Sequence, residues 1–238
     1  MKITSLLLLA LTLNLPTGVA LAKQELGTSS KWEKSITKFE AADVANPPPK
    51  GGIEFIGSST ITRWTTLVQD FPGLPVFNRG YGGSQIKDTT FFAPRIIIPY
   101  APRIIVFHAG DNDLAAGATP EKVIADLKEL IDLVHAKLPE TEFCYISLKP
   151  SVKRERLRLE QQKVNEGANE LSKSNSRFHY IDQYHMVIDA KGNPRPELFA
   201  ADDLHLSEAG YKLLAERVRP AFERIKLRKP EDDFAKNK

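Results

Sequence analysis

Five short apolar runs, each ending in a polar loop and followed by a helical stretch, constrain this chain more than any other feature. They occupy residues 53–56, 74–77, 103–108, 143–148 and 178–181. The third, Arg-Ile-Ile-Val-Phe-His, is apolar without interruption, as expected of a central parallel strand covered on both faces. Between the runs lie helix signals. Thr119-Pro120-Glu121 reads as an N-cap, a first-turn proline and an acid. Val123, Ile124, Leu127, Leu130, Ile131, Val134 and Leu138 then trace one apolar stripe down to Pro139. Further helices are expected over 61–70, 85–92, 151–173 and 207–225, while 93–102, with three prolines, is left unassigned. Strands alternating with helices imply a parallel sheet between helix layers, an α/β fold.

The chain has 238 residues, room for one ordinary domain. Lys2, an apolar core over 6–15 and Ala20-Leu21-Ala22 have the form of a signal peptide, with the mature chain starting at Lys23. That core is shorter than the about 20 residues of a spanning helix, so export without a stable membrane anchor is expected. Residues 23–50 read as an arm: Ser29 or Ser30 caps a helix whose Trp32, Ile36 and Phe39 share one face. Pro47-Pro48-Pro49 then leads to the main domain expected over 51–227. Residues 228–238 read as a charged, disordered tail. A formal charge of +3 is too small to argue for nucleic acid. The single cysteine, Cys144, excludes an intrachain disulfide and reads as a core residue. No His, Asp or Glu grouping has metal-ligand spacing, so neither metal nor other cofactor is expected, and no obligate protein partner.

A parallel sheet delivers its post-strand loops to one edge, where open α/β sheets place their ligands. Here those loops carry Ser58-Ser59, Gly82-Gly83, Asp111-Asn112 and Asp202 to His205. A serine at a strand-to-helix turn can be a simple N-cap, but this set also holds the parts of acyl transfer. Ser59 supplies a hydroxyl that needs a base in contact. His205 is a base that titrates near neutrality. A carboxylate can orient its imidazole. The N–H groups of Ser59 and Gly83 and the Asn112 amide can face a developing oxyanion.

At these four loops the chain resembles the SGNH (GDSL-type) hydrolases. Gly57-Ser58-Ser59 resembles the Gly-Asp-Ser of the first family block, and Asn78-Arg79-Gly80-Tyr81-Gly82-Gly83 the second. Gly110-Asp111-Asn112-Asp113 resembles the third block and Asp202-Asp203-Leu204-His205 the fifth. The resemblance implies a three-layer, flavodoxin-like α/β/α sandwich with a five-stranded parallel sheet. It implies a Ser59, Asp202 and His205 triad, and an oxyanion hole of Ser59, Gly83 and Asn112. The family's usual aspartate before the nucleophile is Ser58 here, which leaves two adjacent hydroxyls; position in the motif favours Ser59. Asp203 stands beside Asp202 as the alternative triad acid.

Tyr81 and Ser58 are candidate substrate contacts, whereas Arg63 and Trp64 read as pocket-shaping or, for Trp64, a core anchor. His108 reads as a packed core histidine and His135 as a boundary residue, and His179 and His185 have no partner legible in the sequence. The six bases between Lys149 and Lys163, interspersed with acids and leucines, read as a solvated helix and not as a nucleic-acid patch. The expected function is an exported serine esterase for short acyl groups such as acetyl, on a small-molecule, glycan or lipid ester. A thioesterase or lysophospholipase on the same scaffold, or a catalytically silent glycan-binding protein, are the alternatives.

Overall fold

The computed structural model describes residues 30–227; the expected signal segment and the charged tail lie outside them. Five strands form one sheet: β1 (Ile53–Gly57), β2 (Val76–Gly80), β3 (Ile104–His108), β4 (Glu142–Ile146) and β5 (Phe178–Ile181). All neighbours pair in parallel, in the order β2-β1-β3-β4-β5. The chain therefore runs from β1 to β2 on one side and then crosses back over β1 to β3 on the other, so a topological switch point lies between β1 and β3. β1, β3 and β4 are buried along their whole length, which is why their sequences read as unbroken strands.

Each face of the sheet carries its own apolar cluster. Ile56, Phe107, Phe143 and Tyr145 pack with α4 (Ile86–Ile96), α6 (Pro120–Lys137) and α7 (Arg158–Ser174). Phe55, Val106, Cys144 and Ile146 pack with Trp64, Phe71 and α8 (Glu208–Leu227). The result is the three-layer α/β/α sandwich. The helix α6 begins where the sequence placed it, with the Thr119 side chain accepting from Lys122 N at 3.3 Å and Pro120 at the first position. Cys144 is buried and free, as expected.

The arm docks on the first face. Its helix α1 (Glu33–Ala45) buries Ile36 and rests Trp32 and Phe39 against the same cluster. Asp43 pairs with Arg79 at 2.5 Å, and Glu40 holds Arg95 at 2.6 Å. Ser30 opens a 3₁₀ turn that leads into α1, whose N-cap position Trp32 occupies with no side-chain capping bond; Ser29, the other expected cap, lies outside the described residues.

Four local expectations are corrected. The helix expected over 61–70 is two separate turns, α2 (Ser59–Thr62) and α3 (Leu67–Asp70). β2 lies two to three residues beyond the expected run, because Asn78 and Arg79 find partners in Ile61 O and Asp43 that let polar residues sit in a strand. The helix α4 runs through Pro94 to Ile96, with the proline on its exposed side. The charged segment expected as one helix over 151–173 begins instead as a 3₁₀ turn, Val152–Leu157, kinked at Arg154.

Candidate active site

β1 ends at Gly57, whose φ is +131° and where a Cβ would stand 2.2 Å from the His108 carbonyl oxygen. Only glycine fits between the two central strands there. The chain turns at once: Ser58 N donates to His108 O at 2.9 Å, and Ser59 becomes the first residue of α2. Ser58 stands at the N-cap but its side chain makes no capping bond, so capping does not account for either serine.

Across 146 residues of chain, His205 Nε2 lies 2.9 Å from Ser59 Oγ. His205 Nδ1 lies 2.7 Å from Asp202 Oδ2. The other carboxylate oxygen, Oδ1, accepts the backbone N–H groups of His205 at 2.9 Å and Leu204 at 3.2 Å. These bonds hold the Asp202 carboxyl well below the usual carboxylate range, the His205 backbone N–H most strongly and the imidazole next. Asp203 takes a left-handed turn with φ 55°, and its neighbour Asp202 is the acid that meets the imidazole.

The cavity at this edge is about 360 Å³ and is bounded by Ser59, Gly83, Asn112, Arg63, Arg154 and His205, with Ser58 and Lys149 among its other walls. Gly83 reaches it with φ +84°, and a Cβ there would stand 3.1 Å from the Trp32 ring, so glycine suits both the backbone and the space. Asn112 sits in the turn α5 (Asp111–Ala115) after β3, its Nδ2 donating to Ser84 O at 3.0 Å. Thus the structure gathers Ser59, Gly83, Asn112 and His205, with Asp202 behind the histidine. Ser58, 3% exposed, lines the same cavity.

Tyr81 does not. It is 2% exposed, its hydroxyl lies 3.0 Å from Thr89 Oγ1, and its ring meets Trp32 and Phe92 edge-on. Flanking glycines suggested a substrate contact, but the ring turns into the core, where burial drives the phenol pKa far upward. Trp64 is the core anchor expected, its indole N–H donating to Asp70 at 2.7 Å.

His108 is buried, with Nδ1 at 3.1 Å from Ile146 O and Nε2 at 3.5 Å from Asp111. Burial pushes Asp111 upward, but the His108 hydrogen bond and the charges of Lys149, His108 and Arg154 outweigh it and hold the carboxyl at about 2. His135 bonds Thr141 O at 3.0 Å. His179 and His185 do have partners, Glu142 at 2.6 Å and Asp182 at 2.7 Å.

Two residues of the charged segment reach the site unforeseen. Lys149 is 3% exposed and donates to Leu204 O at 2.9 Å; burial lowers its pKa. Arg154 donates to Asn112 Oδ1 at 2.7 Å. Nothing local signals either contact, since the partners lie 55 and 42 residues away.

A parallel sheet that brings a serine and a histidine into hydrogen-bond contact at its carboxyl edge defines a candidate hydrolase site on a three-layer α/β/α fold. The model of the GDSL-like lipase/acylhydrolase family matches residues 51–213, and the chain belongs to that family of ester-hydrolysing enzymes. It is 25% identical over 197 residues to platelet-activating factor acetylhydrolase IB subunit alpha1 of Pongo abelii, covering 79% of this chain and 81% of that one. Among solved structures, a Streptococcus pneumonia chain named for platelet activating factor superposes with a TM-score of 0.72 at 22% identity, over 87% of this chain and 99% of its own. An acetyl-xylooligosaccharide esterase from Geobacillus stearothermophilus superposes with a TM-score of 0.58 at 16% identity, over 72% and 94%.

Proposed function

We propose that this protein is an exported serine esterase that cleaves short acyl esters through an acyl-enzyme. The observation that carries the reading is the unbroken hydrogen-bonded line from Asp202 through His205 to Ser59 Oγ. Asp202 favours the tautomer that leaves Nε2 bare to accept the serine proton. Ser59 Oγ then attacks the ester carbonyl while the N–H groups of Ser59 and Gly83 and the Asn112 amide receive the oxyanion. The protonated imidazole returns its proton to the leaving alcohol. Water, deprotonated by the same histidine, releases the acid from Ser59. No step routes through a metal.

Small acyl groups suit a cavity whose walls are mostly glycine and polar or charged side chains, with Leu204 the one large apolar residue lining it among the described residues. The acetyl-directed names of two similar proteins point the same way. Carbohydrate acetyl esters are the first substrates to try. Fluorophosphonate labelling of the wild type that vanishes in Ser59→Ala is the expected result; an unlabelled wild type would favour a silent binding protein instead. Faster hydrolysis of p-nitrophenyl acetate than of the long-chain ester is expected, and the reverse order would favour a lysophospholipase. Export is tested by expressing the full chain and determining the N-terminus, with Lys23 expected.

A further inference from the structure

The Asn112 side chain is gripped at both ends by partners of opposite kind. Its Oδ1 accepts from Arg154 Nη2 at 2.7 Å, and its Nδ2 donates to the Ser84 carbonyl at 3.0 Å. A guanidinium can only donate and a carbonyl can only accept, so the two partners together fix which end of the amide is nitrogen. One N–H of Nδ2 is spent on Ser84, which leaves one for the cavity.

Arg154 sits at an irregularity in its segment. The backbone leaves helical geometry at this residue (φ −121°, ψ 27°) within the turn Val152–Leu157, and its N–H is caught by Ser151. The same stretch is tied to the loop that carries the histidine: Lys153 N donates to Asp203 O at 3.1 Å and Lys149 Nζ to Leu204 O at 2.9 Å. Among the described residues Arg154 forms no ion pair, and the nearby Asp111 is occupied by His108 and Gln161. Its bond to the neutral Asn112 oxygen is therefore charge-assisted, which polarises the amide and strengthens its remaining N–H as a donor.

We infer that Arg154 is a positioning residue for ester hydrolysis: it orients and polarises the Asn112 amide as an oxyanion donor, and the segment 149–154 sets that donor in register with His205. The inference rests on the esterase reading above.

The test compares wild type, Arg154→Ala, Arg154→Lys, Asn112→Ala and the Arg154→Ala/Asn112→Ala double variant on p-nitrophenyl acetate, with thermal melts to verify folding. Arg154→Ala is expected to lower kcat about 10- to 100-fold with KM changed less than about twofold, since only a transition-state interaction is weakened. Arg154→Lys recovers part of kcat, because it keeps the charge and loses the planar fork. In the Asn112→Ala background the arginine substitution costs less than about threefold further, since its target is gone. A rise in KM at unchanged kcat would instead make Arg154 a substrate contact. Full multiplicative losses in the double variant, or no loss in Arg154→Ala, would also overturn the inference. Fluorophosphonate labelling of the wild type separates the two levels. Labelling together with an indifferent Arg154→Ala defeats this inference alone, and no labelling with no turnover defeats the esterase reading and the inference with it.

Discussion

Asp202→Asn isolates the part of the site that the adjacent aspartates left ambiguous. Oδ1 of Asp202 accepts two backbone N–H groups, from Leu204 and His205, so in the amide variant that position must remain an oxygen. The new –NH₂ then occupies the place of Oδ2, 2.7 Å from His205 Nδ1. Two donors cannot face each other, so Nδ1 becomes the acceptor and the imidazole proton moves to Nε2. That nitrogen lies 2.9 Å from Ser59 Oγ and must be bare to take its proton. The same wrong-tautomer substitution in a Ser-His-Asp protease lowers kcat about 10⁴-fold, or about 5 kcal/mol of barrier. We expect a loss of that order in kcat on p-nitrophenyl acetate, with the thermal midpoint nearly unchanged. Asp203→Asn is the control. Its φ of 55° suits asparagine, its carboxylate is not the imidazole's partner, and kcat should stay within about twofold of wild type. If Asp202→Asn kept more than a tenth of the activity, or Asp203→Asn lost as much, the assigned relay would be wrong.

Three further outcomes follow from the same structure. Asp113 is 3% exposed with Oδ2 unpartnered among the described residues, and burial pushes its carboxyl up to about 6 from 3.8. A raised acid pKa means the folded state holds more protons than the unfolded one between those values, so this group's contribution to stability falls as pH rises through that window, by about 3 kcal/mol. Asp113→Asn should therefore gain on wild type in urea denaturation between pH 4 and 7, and parallel curves would refute this. Asp43→Ala leaves the Arg79 guanidinium, 9% exposed, without its ion-pair partner and should cost about 3–5 kcal/mol in the same assay; a loss under about 1 kcal/mol would show that this ion pair does not hold the arm. His185→Ala should leave kcat unchanged while His205→Ala abolishes measurable turnover, and equal effects would misassign the base.

The strands most legible in the sequence were those dominated by apolar residues, although buried Glu54, His108 and Glu142 lie within them. β1, β3, β4 and β5 fell close to their expected places because the helix layers cover both faces of the sheet and select the same residue types along each strand. β2 was displaced because Asn78 and Arg79 are satisfied by Ile61 O and by Asp43, 17 and 36 residues away. The kinked turn at Arg154 was misread for a related reason. Acids and bases at short intervals look like a solvated helix, and only the fold reveals that one of those bases ends on Asn112.

The site itself shows what local sequence can and cannot encode. Asp182-Gln183-Tyr184-His185 and Asp202-Asp203-Leu204-His205 share one spacing, and both make one bonded unit: Nδ1 to Oδ2 at 2.7 Å, with the histidine N–H on Oδ1. The dyad is thus a property of four residues. Its consequence is not. The His185 side chain is 74% exposed and lines a cavity whose wall, among the described residues, holds no serine or threonine, whereas the His205 side chain is 13% exposed and meets Ser59. The two dyads differ in delivery: the second reaches the switch point between β1 and β3, where the turn after Gly57 presents the Ser59 hydroxyl. That delivery depends on the loop of residues 202–205 being fixed from below by Lys149 and the backbone of Lys153. Which dyad meets Ser59 is set by the loop that the sheet topology places there, and Lys149 and Lys153, which bond that loop, are residues a motif search passes over.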